Sequence, residues 1–211
     1  FTLHVSGTQL ERVEAAAATI DVTTPWEPER WDWRDIDAHF RRSFDWPEEY
    51  CARPVQRAVV EAAQQLEGPA LVVIEAETGV GKTEAALAAA EILGANSAAQ
   101  GVFFAAPTMA TANGLLERTI EWASNKSVDS VRSMYLAHSK NDLSEPYRQL
   151  KFSQIGKDSG EGGGVIASQW MSGRRLGLLS NFVVGTVDQV LMMALQQRFH
   201  MLRHVGLAGK V

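Results

Sequence analysis

The clearest chemical signature in the sequence is the segment 76–83, which reads Ala-Glu-Thr-Gly-Val-Gly-Lys-Thr. It fits the pattern of a phosphate-binding loop, with Ala76 in place of the usual first glycine. Gly79 and Gly81 allow backbone conformations that point several N–H groups at one anion. A helix predicted to begin near Lys82 adds the positive end of its dipole. The spacing therefore predicts a site for the phosphate groups of a nucleotide.

Two side chains of this loop carry the predicted chemistry. Lys82 would bridge the β- and γ-phosphates as a point charge, and the Thr83 hydroxyl would be a ligand of Mg²⁺. Thr78 and Val80 complete the residues expected to bind the nucleotide. The sequence thus predicts ATP and Mg²⁺ as cofactors, with Lys82 and Thr83 as the catalytic candidates. The alternative is a glycine-rich turn that binds nothing.

Gln56 lies upstream of the loop, in the sequence Arg-Pro-Val-Gln at the start of the preceding predicted helix. A carboxamide donates and accepts hydrogen bonds at once, so it can pair with both N6 and N7 of adenine. Taken alone, Gln56 is an ordinary surface residue. Its position before the loop makes it a candidate for contact with the base of the nucleotide.

Two other segments place small polar residues directly after apolar runs: Pro107-Thr108, and the stretch 185–189. Both are predicted to lie at the carboxyl ends of parallel strands, where open α/β sheets bind ligands. Hydroxyl groups and helix N-termini suit contacts to a phosphodiester backbone, because they donate hydrogen bonds without reading bases. As isolated features these residues are merely helix caps, Thr186 especially. The candidates for nucleic-acid contact are Pro107, Thr108, Gly185, Thr186, Asp188 and Gln189.

Positive charge is concentrated near the end of the sequence. Arg174 and Arg175 come before an apolar run, and a second basic group follows the next predicted helix: Arg198, His200, Arg203 and His204. These residues could line a nucleic-acid groove, with salt-dependent affinity, or simply form a solvated face. His138 is expected to be a capping or core histidine. It has no second ligand at metal-binding spacing, so no metal site built from protein ligands is predicted.

Apolar runs and helical patterns alternate from residue 53 onward. Short apolar runs predict strands at 71–74, 102–106, 131–137 and 182–184, and helical spacing predicts helices from Pro54, at 84–93 (ended by Gly94), at 109–123 and at 187–198. This alternation is typical of a parallel sheet with helices on both faces. We therefore predict an α/β fold.

The 211 residues divide by composition into two parts. Residues 1–52 are acidic and rich in tryptophan, and we expect a packed irregular or helical lead-in there. Residues 53–211 form the α/β part, in which the polar and glycine-rich stretch 139–169 is predicted to be a flexible insertion.

The net charge of −5 argues against binding of nucleic acid by bulk positive charge. One cysteine, Cys51, fits a reducing cytoplasm, and no apolar run approaches the length of a membrane span.

The ordered motifs resemble those of a family: the helicase portion of the CRISPR-associated nuclease-helicases of type I interference systems, in helicase superfamily 2. The similar segments are Arg-Pro-Val-Gln at 53–56, the loop with its following Glu-Ala-Ala-Leu, Phe104 to Thr108, Trp170 with 174–179, Val184 to Gln189, and Gly206 to Val211. The resemblance covers about 53–211 and implies the first RecA-like lobe of an ATP-dependent translocase that unwinds DNA during antiviral defence.

The resemblance also implies roles for single residues. Gln56 would contact adenine, the loop residues Gly79, Gly81, Lys82 and Thr83 would hold ATP and Mg²⁺, and single-stranded DNA would be contacted by Thr108, Thr186, Asp188 and Gln189. Glu77 stands where the family often has proline, which could loosen the turn without removing a phosphate donor.

Several family elements are not found in these 211 residues. The strand entered at Lys210 would continue in the family to an Asp-Glu-x-His element that holds Mg²⁺, and the second motor lobe and the nuclease domain are not found either. We therefore expect the remaining lobes of the same enzyme as partners, and poor ATP hydrolysis by this piece alone. Two alternatives remain: an RNA-dependent ATPase of the same superfamily, and a non-catalytic module that docks on the crRNA-guided surveillance complex through the acidic stretch 1–50.

Overall fold

The computed structural model describes residues 8–18, 23–28, 30, 34–126, 131–138, 144–153, 164–167, 176–195 and 200–211. Their helices are α1 (Gln9–Ala18), α2 (Ile36–Phe44), α3 (Pro54–Gln64), α4 (Lys82–Ser97), α5 (Met109–Asn125), α6 (Glu145–Ser153), α7 (Val187–Leu191) and α8 (His200–Leu207). Their strands are β1 (Val102–Ala106), β2 (Val131–Ala137), β3 (Gly164–Ile166) and β4 (Phe182–Thr186). None of the described helices is both long enough and apolar enough to cross a membrane.

The strands of this part of the chain form one parallel sheet in the order β1-β4-β2-β3. Ala106 at the end of β1 pairs with Thr186 at the end of β4, and Ala137 at the end of β2 pairs with Gly185. Three strands therefore end together, which brings the segments after them to one edge. The predicted parallel α/β architecture is confirmed.

The predicted strand at 71–74 is not formed: Leu71 is 90% exposed and Val73 is 80% exposed. A strand requires a neighbour with free backbone groups. The outer edge of β1 is already occupied, since Phe103 N–H donates to the Val211 carbonyl at 2.8 Å and Val211 N–H donates to the Gly101 carbonyl at 3.1 Å. Residues 71–74 thus lead into the phosphate loop without joining the described sheet.

Helix α4 continues beyond the glycine that was predicted to end it. A Cβ on Gly94 would lie 3.1 Å from the ring of Trp26, so glycine here permits close packing rather than a helix stop. The helix ends instead at Ala98, which adopts the left-handed conformation with φ of 52°.

The described part of the lead-in packs into the core of the sheet domain. Trp26 is buried, and its ring makes edge-to-face contacts with Trp122 on α5 and Phe182 on β4, at centroid distances of 5.9 and 5.6 Å. Just before it, the Thr23 hydroxyl donates to the Asn181 side-chain oxygen at 2.7 Å. The lead-in thus covers the edge of the sheet opposite to the strand carboxyl ends.

The stretch 139–169 was predicted to be a flexible insertion, and its described residues contain regular elements that the sequence reasoning did not predict. They include α6 and β3, and β3 pairs with β2. Tyr147 of α6 is fully buried and meets Tyr135 of β2 edge to face at 6.3 Å. The single buried ring of Tyr147 anchors α6, although the polar composition of this helix gave no sequence signal for it. The glycine-rich residues 160–163 lie outside the described residues.

The predicted helix 187–198 is also shorter in the structure, where α7 ends at Leu191 and turns follow. Residues 196–199 lie outside the described residues.

A buried ionic cluster joins α2, α4 and α5. Glu91 lies between His39, whose Nε2 is 3.4 Å from its carboxylate, and Lys126, whose Nζ is 2.9 Å away. The Ser43 hydroxyl lies 3.0 Å from the same Nε2 of His39. Burial lowers the pKa of His39 below its usual value of 6.5, against the attraction of Glu91, while Lys126 and Arg42 lower it further.

We expect the cluster to make stability depend on pH. Because the folded protein favours the neutral form of His39, the unfolded chain binds the proton more readily. The contribution of His39 to stability is therefore fully present above pH 6.5 and is lost as the pH falls below that value. One such group changes the free energy of unfolding by at most about 1.4 kcal/mol per pH unit. Urea unfolding between pH 7.5 and 5 should show a steeper loss for the parent than for His39→Gln. Equal slopes would contradict this assignment.

Candidate nucleotide and nucleic-acid sites

The phosphate loop has the backbone conformation that its glycines were predicted to allow. Gly79 and Gly81 have φ values of 85° and 86°, in the left-handed region that favours glycine. Helix α4 begins directly after Gly81, at Lys82, and Gly81 supplies no capping side chain for the first turn. The N–H groups of that turn therefore keep their capacity to bind an anion.

Lys82 is folded over the loop. Its Nζ donates to the Ala76 carbonyl at 2.5 Å and to the Glu77 carbonyl at 2.7 Å. The ammonium group is thus held above the loop by acceptors that a phosphate oxygen could replace. Thr83 is half-buried in the first turn of α4, beside it.

Gln56 is built into this loop rather than pointing into solvent. Its side chain is only 1% exposed; its Oε1 accepts from Arg53 N–H at 2.8 Å, and its Nε2 donates to the Gly81 carbonyl at 3.2 Å. Both ends of the carboxamide therefore connect the start of α3 to the loop. Its predicted contact with adenine remains a prediction.

Arg53 is a loop contact that the sequence reasoning missed. Its Nη1 donates to the Gly79 carbonyl, so Arg53 and Gln56, at the start of α3, hold the loop at the carbonyls of both of its glycines. The signal available in the sequence was its place directly before Pro54, where a helix was expected to begin. A side chain at such a position extends toward whatever packs on the helix start.

The two threonines at the carboxyl edge differ in what their hydroxyls do. Thr108 caps α5, since its Oγ1 accepts from Thr111 N–H at 3.2 Å. Thr186 occupies the corresponding position before α7, yet among the described residues its hydroxyl makes no capping bond. The alternative interpretation, in which Thr186 is merely a helix cap, therefore gains no support from the described residues. Its side chain is left for another partner at the edge where β1, β2 and β4 end.

Other candidates at this edge have structural explanations. A Cβ on Gly185 would come within 2.8 Å of the Ala137 side chain, so the sheet itself requires glycine there. Pro107 is exposed between β1 and α5, and Asp188 is exposed in the first turn of α7. Gln189 accepts at Oε1 from Arg203 Nη1 of α8, at 2.9 Å. Arg174 and Arg175 lie outside the described residues.

His138 also lies at this edge, just after β2. Its Nε2 is 2.9 Å from Oδ1 of Asn113 on α5, and burial lowers its pKa. This contact supports the expected structural role of His138. Among the described residues, no cluster of His, Cys, Asp and Glu could hold a metal ion.

Comparison with known proteins identifies the family of the chain. The DEAD/DEAH box helicase family model matches residues 53–155. The chain is 36% identical over 204 residues to the CRISPR-associated nuclease/helicase Cas3 of Streptococcus thermophilus, covering 95% of this chain and 21% of that protein. It is 35% identical over 177 residues to the CRISPR-associated endonuclease/helicase Cas3 of Thermus thermophilus, covering 81% of this chain and 19% of that protein.

Matching solved structures also come from a Cas3 protein. The crystal structure of T. fusca Cas3 with ATP matches with a TM-score of 0.69 and 33% identity, over 96% of this chain and 21% of that one. The AMPPNP form matches with a TM-score of 0.68 and 33% identity, over 96% of this chain and 20% of that one. The chain spans about a fifth of the length of the relatives it matches. In sequence and in fold, with its parallel sheet and helices, the chain belongs to the RecA-like helicase portion of the CRISPR-associated Cas3 nuclease-helicases.

Proposed function

We propose that this chain binds ATP with Mg²⁺ through residues 76–83 and contacts single-stranded DNA at the carboxyl edge of its sheet. It thereby forms part of an ATP-dependent DNA translocase acting in CRISPR interference. The observation that carries the nucleotide half is the loop itself: two left-handed glycines, a following helix N-terminus and Lys82 above the loop carbonyls. Its solved relatives include a crystal structure of Cas3 with ATP, which supports the same proposal.

The loop residues fit such a ligand chemically. Lys82 would exchange the carbonyl oxygens of Ala76 and Glu77 for phosphate oxygens, and the Thr83 hydroxyl would hold Mg²⁺. The metal would supply neutralisation of charge at the γ-phosphate. The protein contributes position: α4 is buried along most of its length, so the donors at its N-terminus are fixed before the nucleotide arrives.

Lys82→Ala is expected to weaken ATP binding at least about tenfold, because it removes the cation closest to the β- and γ-phosphates. Isothermal titration calorimetry with Mg-ATP measures this directly. Arg148→Ala is a matched control, since it also removes one positive charge and Arg148 forms an exposed ion pair with Glu145 on α6. Equal affinities for the parent and Lys82→Ala would refute the assignment of the loop.

The DNA half depends on the geometry of the edge. Thr108, Thr186 and Gln189 come together because β1 and β4 are adjacent and end together. Their donor groups suit phosphate oxygens rather than base edges. Fluorescence anisotropy with labelled oligo-dT and oligo-rU of equal length compares the two candidate polymers. Preference for oligo-rU would favour the RNA-dependent alternative.

Trp26 gives no support to a docking role for the acidic lead-in, because its ring is buried against Trp122 and Phe182 and is not available to a partner.

A further inference from the structure

We propose that Arg203 is a positioning residue that holds the Gln189 side chain as a hydrogen-bond donor toward the phosphodiester backbone. The inference rests on the proposed contact with single-stranded DNA and extends it to α8. It names the part of the nucleic acid that Gln189 contacts and the residue that makes this contact possible.

The geometry begins with one hydrogen bond between two helices. Arg203 Nη1 of α8 donates to Gln189 Oε1 of α7 at 2.9 Å, and both side chains are half-buried. A bond from a guanidinium group is charge-assisted and stronger than a bond between neutral groups. The orientation of the Gln189 carboxamide is therefore set by a residue outside its own segment.

Helix α8 is itself fixed in place. A Cβ on Gly206 would lie 2.7 Å from the Leu178 side chain, so α8 packs directly against the short 3-10 helix Gly177–Leu179. That helix leads into β4, whose carboxyl end carries Thr186. Arg203 thus has a defined position relative to the edge where DNA is proposed to bind.

The chemistry of the pair selects the ligand. A guanidinium group has only donors, so it can bond only to the oxygen of the carboxamide and leaves the NH₂ group to donate to another acceptor. Phosphate oxygens only accept hydrogen bonds, whereas base edges present both donors and acceptors. Gln189 held in this way matches the backbone of a nucleic acid and does not select a base.

Charge supports the same conclusion. Asp188 is exposed next to Gln189 and repels phosphate. The permanently charged guanidinium of Arg203 offsets it nearby. Without Arg203 this position would combine a carboxylate with a freely rotating carboxamide, which is a poor surface for a polyanion.

The test measures affinity for labelled oligo-dT by fluorescence anisotropy for Arg203→Met, Gln189→Ala and the double variant. We expect each single change to weaken binding by roughly three- to tenfold, and the double change to weaken it no further, because both remove the same contact. Arg148→Met is the control, because it removes the same positive charge from an exposed ion pair with Glu145 on α6. Arg203→Lys keeps the charge without the planar fork, so we expect it to restore only part of the affinity.

Two results would overturn the inference while leaving the proposed function intact. One is unchanged affinity of Arg203→Met beside weakened Gln189→Ala. The other is a lowered melting temperature with unchanged affinity, which would make the bond a purely structural link between α7 and α8. Failure of the parent chain to bind oligo-dT would instead refute the proposed DNA contact itself. If Arg203→Met does not fold, the side-chain amide NMR signals of Gln189 in Arg203→Lys report the same bond, and signals unchanged from the parent count against it.

Discussion

Gly81→Ala is expected to abolish measurable nucleotide binding and to destabilise the protein. A Cβ at this position would overlap Nε2 of Gln56, a buried side chain that cannot move aside without breaking its bonds to Arg53 and to the loop. The φ value of 86° adds about 1–2 kcal/mol of backbone strain for a residue with a side chain. The loop and the start of α3 must therefore separate. Calorimetry with Mg-ATP and thermal melting measure the two effects.

Gly79→Ala is the matched control for this substitution. Its φ of 85° imposes the same backbone strain, yet nothing lies within 4 Å of the Cβ that would be added. We expect a small loss of stability and a smaller loss of ATP affinity than for Gly81→Ala. Equal effects of the two substitutions would mean that strain alone matters and that the contact between Gln56 and Gly81 has no part in the loop geometry.

Trp26→Ala should produce the largest loss of stability of any single change in the lead-in. The ring is 2% exposed, contacts Trp122 and Phe182 edge to face, and lies against Gly94 of α4. Removing a buried tryptophan costs about 3–5 kcal/mol, which corresponds to a fall in melting temperature of roughly 10 °C for a chain of this size. Differential scanning calorimetry gives the value.

Trp46→Ala serves for comparison, because Trp46 is half-buried and packs on Phe40, Phe44 and Tyr50 at the periphery. A similar loss for Trp46→Ala and Trp26→Ala would show that the lead-in does not share the core of the sheet domain. A much larger loss for Trp26→Ala would show that residues 23–28 fold as part of that domain rather than as a linker.

Local sequence patterns were sufficient to predict most of the helices and strands from residue 53 onward. The starts of α3 and α5 were predicted from Pro54 and from helical spacing, and the runs 102–106 and 131–137 are strands with the predicted bounds. These succeeded because an apolar run buried on both faces of a parallel sheet has no other stable conformation. The same reasoning failed at 71–74, where an equally apolar run has no neighbouring strand within the described residues.

The failures share a physical cause. Gly94 was read as a helix stop, although its lack of a side chain is used by the ring of Trp26, 68 positions earlier in the chain (94 − 26). Helix α6 was hidden in a polar stretch because one buried ring, that of Tyr147, is enough to anchor it. Such contacts between distant residues leave no periodic trace in the sequence.

For the candidate sites, the sequence by itself determined the phosphate loop and the order of the polar segments along the chain, since glycine, lysine and threonine at fixed spacing restrict the local backbone. The tertiary structure alone decided what those residues touch. It gave Gln56 and Arg53 to the loop carbonyls, left the Thr186 hydroxyl without a capping role among the described residues, and paired Gln189 with Arg203. Local conformation follows from neighbouring residue types, whereas a side-chain partner depends on which distant element the fold brings alongside.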